Sequence, residues 1–108
     1  MIKVRVPQKI KFLAHTYTIR FSPKELSSHS CSGLTRHLYQ EIVLDRSCQP
    51  KSEVGQIFLH EFMHVIERHM GMKLEDNDIE RISEGFYDLL VNNLGLEFDW
   101  SDIKELSS

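Results

Sequence analysis

Several features that would place a chain of 108 residues in a special class are absent or scarce. No apolar run is long enough to cross a membrane, and residues 1–6 lack the apolar block of a signal peptide. The two cysteines, Cys31 and Cys48, have no CxxC spacing, so we expect free thiols in a cytoplasmic protein. The net charge of −3 gives no electrostatic reason to expect nucleic acid as a partner.

The residues that are present fit one globular domain over residues 1–108, because no repeat or low-complexity linker divides them. Alternating apolar and polar residues predict three strands, over residues 2–6, 9–13 and 16–21. The stretch Ser-Pro-Lys-Glu at 22–25 is a capping-box pattern, which predicts a short helix over 23–28. Polar and small residues predict a loop over 27–36, and an apolar run predicts a strand over 38–44.

The second half of the chain predicts helices, and the whole therefore predicts an α+β fold. Residues 51–70 carry a broad apolar stripe, typical of a largely buried helix, which Gly71 is placed to end. A second helix is predicted to open at Asp76 or Asn77, with Glu80 as the capping partner, and to close near residue 93. Its expected core face consists of Ile79, Ile82, Phe86, Leu89, Leu90 and Leu94. After it, one or two helical turns are expected to pack Trp100 and Ile103 on the body.

The most informative stretch is His60-Glu61-Phe62-Met63-His64, inside the first of these helices. Residues four apart stack on one helix face, so His60 and His64 can bind one metal ion. Glu61 lies about 100° round the helix from His60, near enough to take a proton from an activated water. Two imidazoles, a water and a carboxylate are the parts that zinc-dependent hydrolysis requires.

A catalytic zinc usually has three protein ligands, so the second helix should supply one more. If the two helices are antiparallel and their turn is centred near residue 73 or 74, position 84 lies opposite position 63. Glu80 would then lie opposite position 67, beyond the histidines. We therefore predict Glu84 as the third ligand and treat Glu80 as the poorer candidate.

The pattern His60-Glu61-x-x-His64 followed by Glu84-x-x-x-Asp88 resembles the gluzincin branch of the zinc metallopeptidases. The resemblance is closest to small single-domain members found in phages and prophages, of the ImmA/IrrE type, and covers about residues 38–90. It implies a zincin-like fold in which His60, His64 and Glu84 bind Zn²⁺. It also implies that Glu61 is the general base and that Asp88 supports a ligand histidine from behind.

The same resemblance implies a peptide or protein substrate, whereas the net charge and the short apolar runs give no reason to expect a nucleic-acid or membrane partner. The segment before the motif helix, Leu38–Leu44, would be an edge strand that binds an extended peptide. Tyr39, Ile42 and Tyr87 are the candidate substrate-binding residues, and Tyr39, Tyr87 or His69 could donate to a transition-state oxyanion. Glu67 and Met70 stand where the longer three-histidine pattern requires glycine and histidine, which excludes that pattern.

Three alternatives stay open at this stage. The motif residues could be ordinary side chains of a partly exposed helix, although burying them among apolar neighbours without a partner would be costly. The domain could use the metal to hydrolyse a non-peptide amide or ester, or it could be a zinc-stabilised binding module without catalytic activity. Iron, nickel or cobalt could occupy the same ligands as zinc. His29 and His37 are more typical of surface residues than of ligands.

Overall fold

A computed structural model of the protein describes residues 2–28, 33–45 and 53–105. These ranges contain the strands β1 Ile2–Arg5, β2 Lys9–Phe12, β3 His15–Phe21, β4 Gly33–Arg36, β5 Glu41–Leu44 and β6 Leu96–Asp99. They also contain the helices α1 Pro23–Ser28, α2 Glu53–His69 and α3 Asp76–Tyr87, and a π-helical segment, Asp88–Asn93, that continues α3. The predicted α+β class is confirmed. Cys31, Cys48 and His29 lie outside the described residues.

The strands form two sheets, and the larger one carries the core. Its strand order is β2-β3-β5-β4, with β3 and β5 parallel and the other neighbours antiparallel. The predicted hairpin of β2 and β3 is confirmed, and every second residue of β3 is buried. Helix α2 packs on this sheet through Val54, Phe58 and Val65. No helix in the described part of the chain combines the length and apolar character needed to cross a bilayer.

The region before α2 differs from its prediction in a way that matters for the site. Residues 33–36 form strand β4, whereas the whole of 27–36 was expected to be a loop. Residues 37–40 are a turn, so the strand predicted over 38–44 is confined to 41–44. That strand, β5, lies between β3 and β4 and is not an edge. The edge nearest α2 is therefore β4, which contains the small residue Gly33 and no long apolar run, and so gave a weak strand signal.

Helix α2 ends as predicted at Gly71, which adopts a positive φ of 66°. The Met72 N–H donates to the Glu67 carbonyl oxygen at 3.0 Å, the long-range bond of a glycine-terminated helix. The chain then runs back along α2, because the Leu74 N–H donates to a carboxylate oxygen of Glu67 at 2.9 Å. Extended residues advance about 3.3 Å each against about 1.5 Å in a helix, so this short link covers the length of several helical residues.

That link shifts the register between α2 and α3 by about two helical turns from the predicted one, since Glu80 lies beside His60 and not beside position 67. The prediction counted residues outward from a turn near 73 and assumed the same rise per residue on both sides of it. An extended link rises further per residue than a helix does. As a result Glu80, rather than Glu84, lies beside His60. The predicted capping box is also wrong, because α3 begins after Glu75 with no side-chain cap hydrogen bond, and Glu80 points elsewhere.

Helix α3 buries much less of its apolar surface than its periodicity predicts. Only Ile79 of the expected core face is fully buried, whereas Ile82, Phe86, Leu89 and Leu94 are exposed. Gly95 closes this helical region with a positive φ of 71°, as predicted. The residues that follow form strand β6 parallel to β1 instead of the expected helical turns. Ile103 is nevertheless buried and Trp100 packs against the core, as predicted.

Candidate metal centre

The motif residues lie at a cleft of about 580 Å³ between β4, the middle of α2 and the start of α3. Its lining comprises Gly33, Leu34, Thr35, His37, His60, Glu61, His64, Asp76, Asn77 and Glu80. The strand contributes one wall and the two helices the other. The cleft therefore gathers both motif histidines, the motif glutamate and one carboxylate from the second helix.

His60 and Glu80 make an unusual contact in this cleft. Nδ1 of His60 is buried and has no hydrogen-bond partner among the described residues, although Glu80 Oε2 lies 2.9 Å from it. The direction of the contact, not its length, is what excludes a hydrogen bond. Two tetrahedral zinc ligands at about 2.0–2.1 Å from the ion lie about 3.3 Å apart, so this spacing is close to that of two ligands. The other carboxylate oxygen, Oε1, accepts from Gln56 Nε2 at 3.3 Å.

His64 is held by a hydrogen bond within α2. Its Nδ1 lies 2.9 Å from Glu67 Oε1, and a carboxylate can only accept, so Nδ1 carries the proton. Nε2 therefore keeps its lone pair for a metal, the arrangement in which a carboxylate behind a ligand histidine fixes its tautomer. Hydrogen bonds from the Leu74 N–H and from His64 hold the pKa of the Glu67 carboxyl below its usual value. Glu67 is therefore favoured in its charged form, which accepts the hydrogen bond from His64 Nδ1–H.

Glu61 is the buried carboxylate of the cleft, with an exposed fraction of 7%. Thr35 on β4 donates its hydroxyl to Glu61 Oε1 at 2.7 Å, which fixes the side chain and replaces part of its lost hydration. Strand and helix approach closely here because residue 33 is glycine. A Cβ at Gly33 would lie 2.5 Å from Ile57 Cγ2 and 3.1 Å from Glu61 Oε2.

A further histidine, His37, reaches the cleft from the turn after β4. Its Nδ1 lies 2.9 Å from the hydroxyl of Tyr17, which is fully buried on β3. The same hydroxyl lies 2.8 Å from Nε2 of His69 at the end of α2, and the His69 ring stacks on His15 with ring centroids 3.7 Å apart. Burial, with Arg68 and His69 nearby, lowers the pKa of His37, and burial raises the pKa of Tyr17. Both groups are therefore favoured in their neutral forms.

The two residues predicted on the second helix do not reach this cleft. Glu84 is exposed and is not among the lining residues, so the structure places Glu80 where the sequence placed Glu84. Asp88 is also exposed, at the start of the π-helical segment, and its carboxylate accepts from Asn92 Nδ2 at 2.8 Å and from Asn93 Nδ2 at 3.3 Å. The hydrogen bond that was expected from Asp88 to a motif histidine is made instead by Glu67, to His64.

The predicted substrate-binding residues lie outside the cleft as well. Ile42 is fully buried in the core, which corrects its assignment as a substrate contact. Tyr39 is exposed in the turn, where the Arg36 guanidinium lies 5.3 Å from its ring centroid. Tyr87 packs beside Gly55, near the start of α2. The sequence placed the edge strand at 38–44, which contains β5, whereas the edge nearest α2 is β4. Residues on β5 were therefore assigned to an edge surface on which they do not lie.

The sequence assigned no place in the site to Thr35, Glu67 or Tyr17, and His37 was expected to be a surface residue. The signal for Glu67 was readable, because it stands three residues after His64 and so shares its helix face. Thr35 and His37 carried no such signal, since their place depends on β4 forming an edge strand beside α2. Tyr17 reads as an ordinary inward residue of a strand, and its hydroxyl contacts join elements distant in sequence.

The side chains of the cleft fit a zinc ion in chemical type. His60, His64 and Glu80 are two imidazoles and one carboxylate, and the buried Nδ1 of His60 lacks a hydrogen-bond partner among the described residues. Across the described ranges no three such groups already form a ready-made metal site, so ligation would require the three side chains to turn toward one point. Searches of protein-family models, curated proteins and solved structures find no match to this chain.

Proposed function

We propose that the protein is a zinc-dependent metallopeptidase with a zincin-like fold and that His60, His64 and Glu80 are its metal ligands. The observation that carries the proposal is the contact between His60 and Glu80, 2.9 Å apart without hydrogen-bond geometry, beside a second histidine whose tautomer Glu67 fixes. Two acceptor atoms at this distance repel each other unless a cation or a proton lies between them. A shared ion explains the contact and both histidines together.

The residues of the cleft have separate roles in this proposal. Zinc would supply Lewis acidity, which polarises a carbonyl group and lowers the pKa of a water molecule. Glu61 would accept a proton from the attacking water and pass it to the departing amine. Thr35, by donating to Glu61 Oε1, holds the carboxylate in place and leaves Oε2 for the proton. Strand β4, an edge of the sheet among the described residues, would bind the substrate backbone as an added strand, and this favours an extended peptide as the substrate.

One observation favours a second candidate, a zinc-stabilised binding module without catalytic activity. His37 lines the same cleft as His60, His64 and Glu80. If His37 also bound the ion, four protein ligands would close the coordination sphere, as in structural zinc sites. Zinc would then contribute to folding directly, and Glu61 would have no proton to transfer.

Zinc content and cleavage by a Glu61→Gln variant test the proposal together. We expect one zinc per chain after loading and dialysis, because the three ligands are unchanged in the variant. The wild-type protein should cleave a library of quenched fluorescent peptides, with cleaved bonds read by mass spectrometry, and the variant should not. Glu97→Gln, an exposed carboxylate on β6, is the matched control and should retain both properties.

The possible results separate the candidates. Folded protein that binds no zinc would contradict both of them. Zinc binding with equal cleavage by wild type and Glu61→Gln would remove Glu61 as the base. Stoichiometric zinc without cleavage by the wild type, together with a large loss of stability on chelation, would select the binding module.

A further inference from the structure

The hydrogen-bonded cluster beside the cleft has no role in the proposed chemistry so far. It joins three elements that are distant in sequence, β3, the turn 37–40 and the end of α2, through Tyr17, His37 and His69. A tyrosine that is fully buried normally satisfies its hydroxyl with one partner, whereas this one lies within 2.9 Å of two imidazole nitrogens. Its position fixes the His37 ring at the wall of the cleft.

The tyrosine hydroxyl has one proton, so its two hydrogen bonds must run in one direction. In one arrangement His69 Nε2–H donates to the Tyr17 oxygen, and Tyr17 donates to His37 Nδ1. His37 then carries its own proton on Nε2, the nitrogen turned away from Tyr17. In the reverse arrangement His37 Nδ1–H donates to Tyr17, and Nε2 carries a lone pair instead.

Few other groups of the cleft could donate to a reacting oxygen. The Thr35 hydroxyl is engaged with Glu61, and both motif histidines are assigned to the metal. The side chain of Asn77 is exposed on the first turn of α3. His37 is half-buried and its ring is anchored by the Tyr17 hydroxyl. A donor whose position is fixed before the reaction stabilises developing charge better than one that must be ordered first.

We propose that His37 is a catalytic residue that donates Nε2–H to the substrate carbonyl oxygen as negative charge develops there. Tyr17 is the positioning residue, and the hydrogen bonds run from His69 through Tyr17 to His37. No covalent bond forms at His37 and no proton leaves it, because its contribution is the hydrogen bond alone. The inference rests on the proposed function, since it requires a metal and a carbonyl group in the cleft.

The tautomer of His37 tests the direction of the hydrogen bonds from His69 through Tyr17 to His37, and no substrate is needed. Long-range ¹H–¹⁵N correlation spectra of the zinc-loaded protein distinguish an imidazole protonated on Nε2 from one protonated on Nδ1 and from a metal ligand. We expect Nε2–H for His37 and Nε2–H for His69. An Nδ1-protonated His37, or a His37 Nε2 resonance typical of a zinc ligand, would overturn the inference and support the closed, four-ligand site.

Binding of acetohydroxamate to the zinc-loaded protein tests the donor itself, because this probe presents an oxyanion to a metal. His37→Phe should weaken its binding by about ten- to hundredfold through loss of one charge-assisted hydrogen bond, with zinc content unchanged. Tyr17→Phe keeps the buried ring and should weaken binding by up to about tenfold. His69→Gln removes the imidazole that donates to the Tyr17 hydroxyl, and it replaces Tyr17→Phe in this test if that variant folds poorly.

His15→Gln is the matched control, because His15 stacks on His69 but does not contact the Tyr17 hydroxyl. It should leave acetohydroxamate binding within about twofold of wild type, because both contacts of the Tyr17 hydroxyl remain in the variant. Unchanged binding in His37→Phe, with full zinc content, would reject His37 as the donor and leave the proposed peptidase intact. A wild-type protein that takes up no zinc would instead reject the proposed function.

Discussion

The inward face of α2 and the outward face of α3 both violate the usual distribution of polar and apolar residues, in opposite senses. Helix α2 buries a carboxylate, Glu61, and carries two half-buried histidines that line the cleft. Helix α3 exposes Ile82, Phe86 and Leu89. Buried polar groups are costly unless they have partners, whereas single exposed apolar side chains are common and carry little cost.

The difference shows which anomaly carries functional information. On α2 each polar side chain of the motif has a polar neighbour: Thr35 for Glu61, Glu67 for His64 and Glu80 beside His60. On α3 the exposed side chains Ile82, Phe86 and Leu89 are apolar and offer no group that could bind a metal. Only the α2 face therefore has the organisation of a site, and substitutions of the same type on the two helices should have unequal effects.

The largest contrast is expected between two phenylalanines. Phe58 on α2 is 7% exposed in the core, and Phe86 on α3 is 52% exposed. Phe58→Ala should lower the free energy of unfolding by about 3–5 kcal/mol, because it removes buried surface and leaves a cavity. Phe86→Ala should lower it by about 0.5 kcal/mol or less. Urea denaturation of the metal-free protein measures both, and equal losses would show that the α3 face is covered in solution.

The next contrast compares two carboxylates one helical turn apart on α3. Glu80→Gln should weaken zinc binding by about hundredfold, at the upper end of the losses seen when groups supporting a metal site are removed. Glu84→Gln should leave zinc affinity within about twofold, because Glu84 is exposed outside the cleft. Competition with a zinc-chelating dye measures both constants. The opposite order would restore the register that the sequence predicts and reject the one in the structure.

The smallest contrast uses two glycines. Gly33→Ala should destabilise the protein by about 1–3 kcal/mol, since the new Cβ would lie 2.5 Å from Ile57 and would push strand β4 from α2. Gly85→Ala should stabilise it by about 0.5–1 kcal/mol, because nothing lies within 4 Å of that position in α3. Thermal unfolding of the two variants tests this. A stabilised Gly33→Ala protein would mean that β4 does not pack on α2 as described.

Local patterns predicted the elements whose signals are contained in their own residues. Helix α2 with its glycine stop, the β2–β3 hairpin and helix α1 belong to this group, and so does the position of His60, Glu61 and His64 together on one helix. The third carboxylate depended on how residues 72–75 run, and a residue count cannot give the advance of an extended link. Strand β4 depended on pairing with β5, so Thr35 and His37 could not be placed from their neighbours in sequence.

The pairing of β1 with β6 has a consequence for the order of folding. Ile2 lies beside Leu96 in a parallel pair, so β1 has no partner in the described structure until residues 96–99 have been synthesised. The four-stranded sheet and α2 use residues 9–69 and can assemble earlier, whereas the two-stranded sheet closes a loop that spans both. On the ribosome, the backbone amides of Ile2 and Val4 would remain unpaired until then. Their protection from hydrogen exchange would be the last to develop.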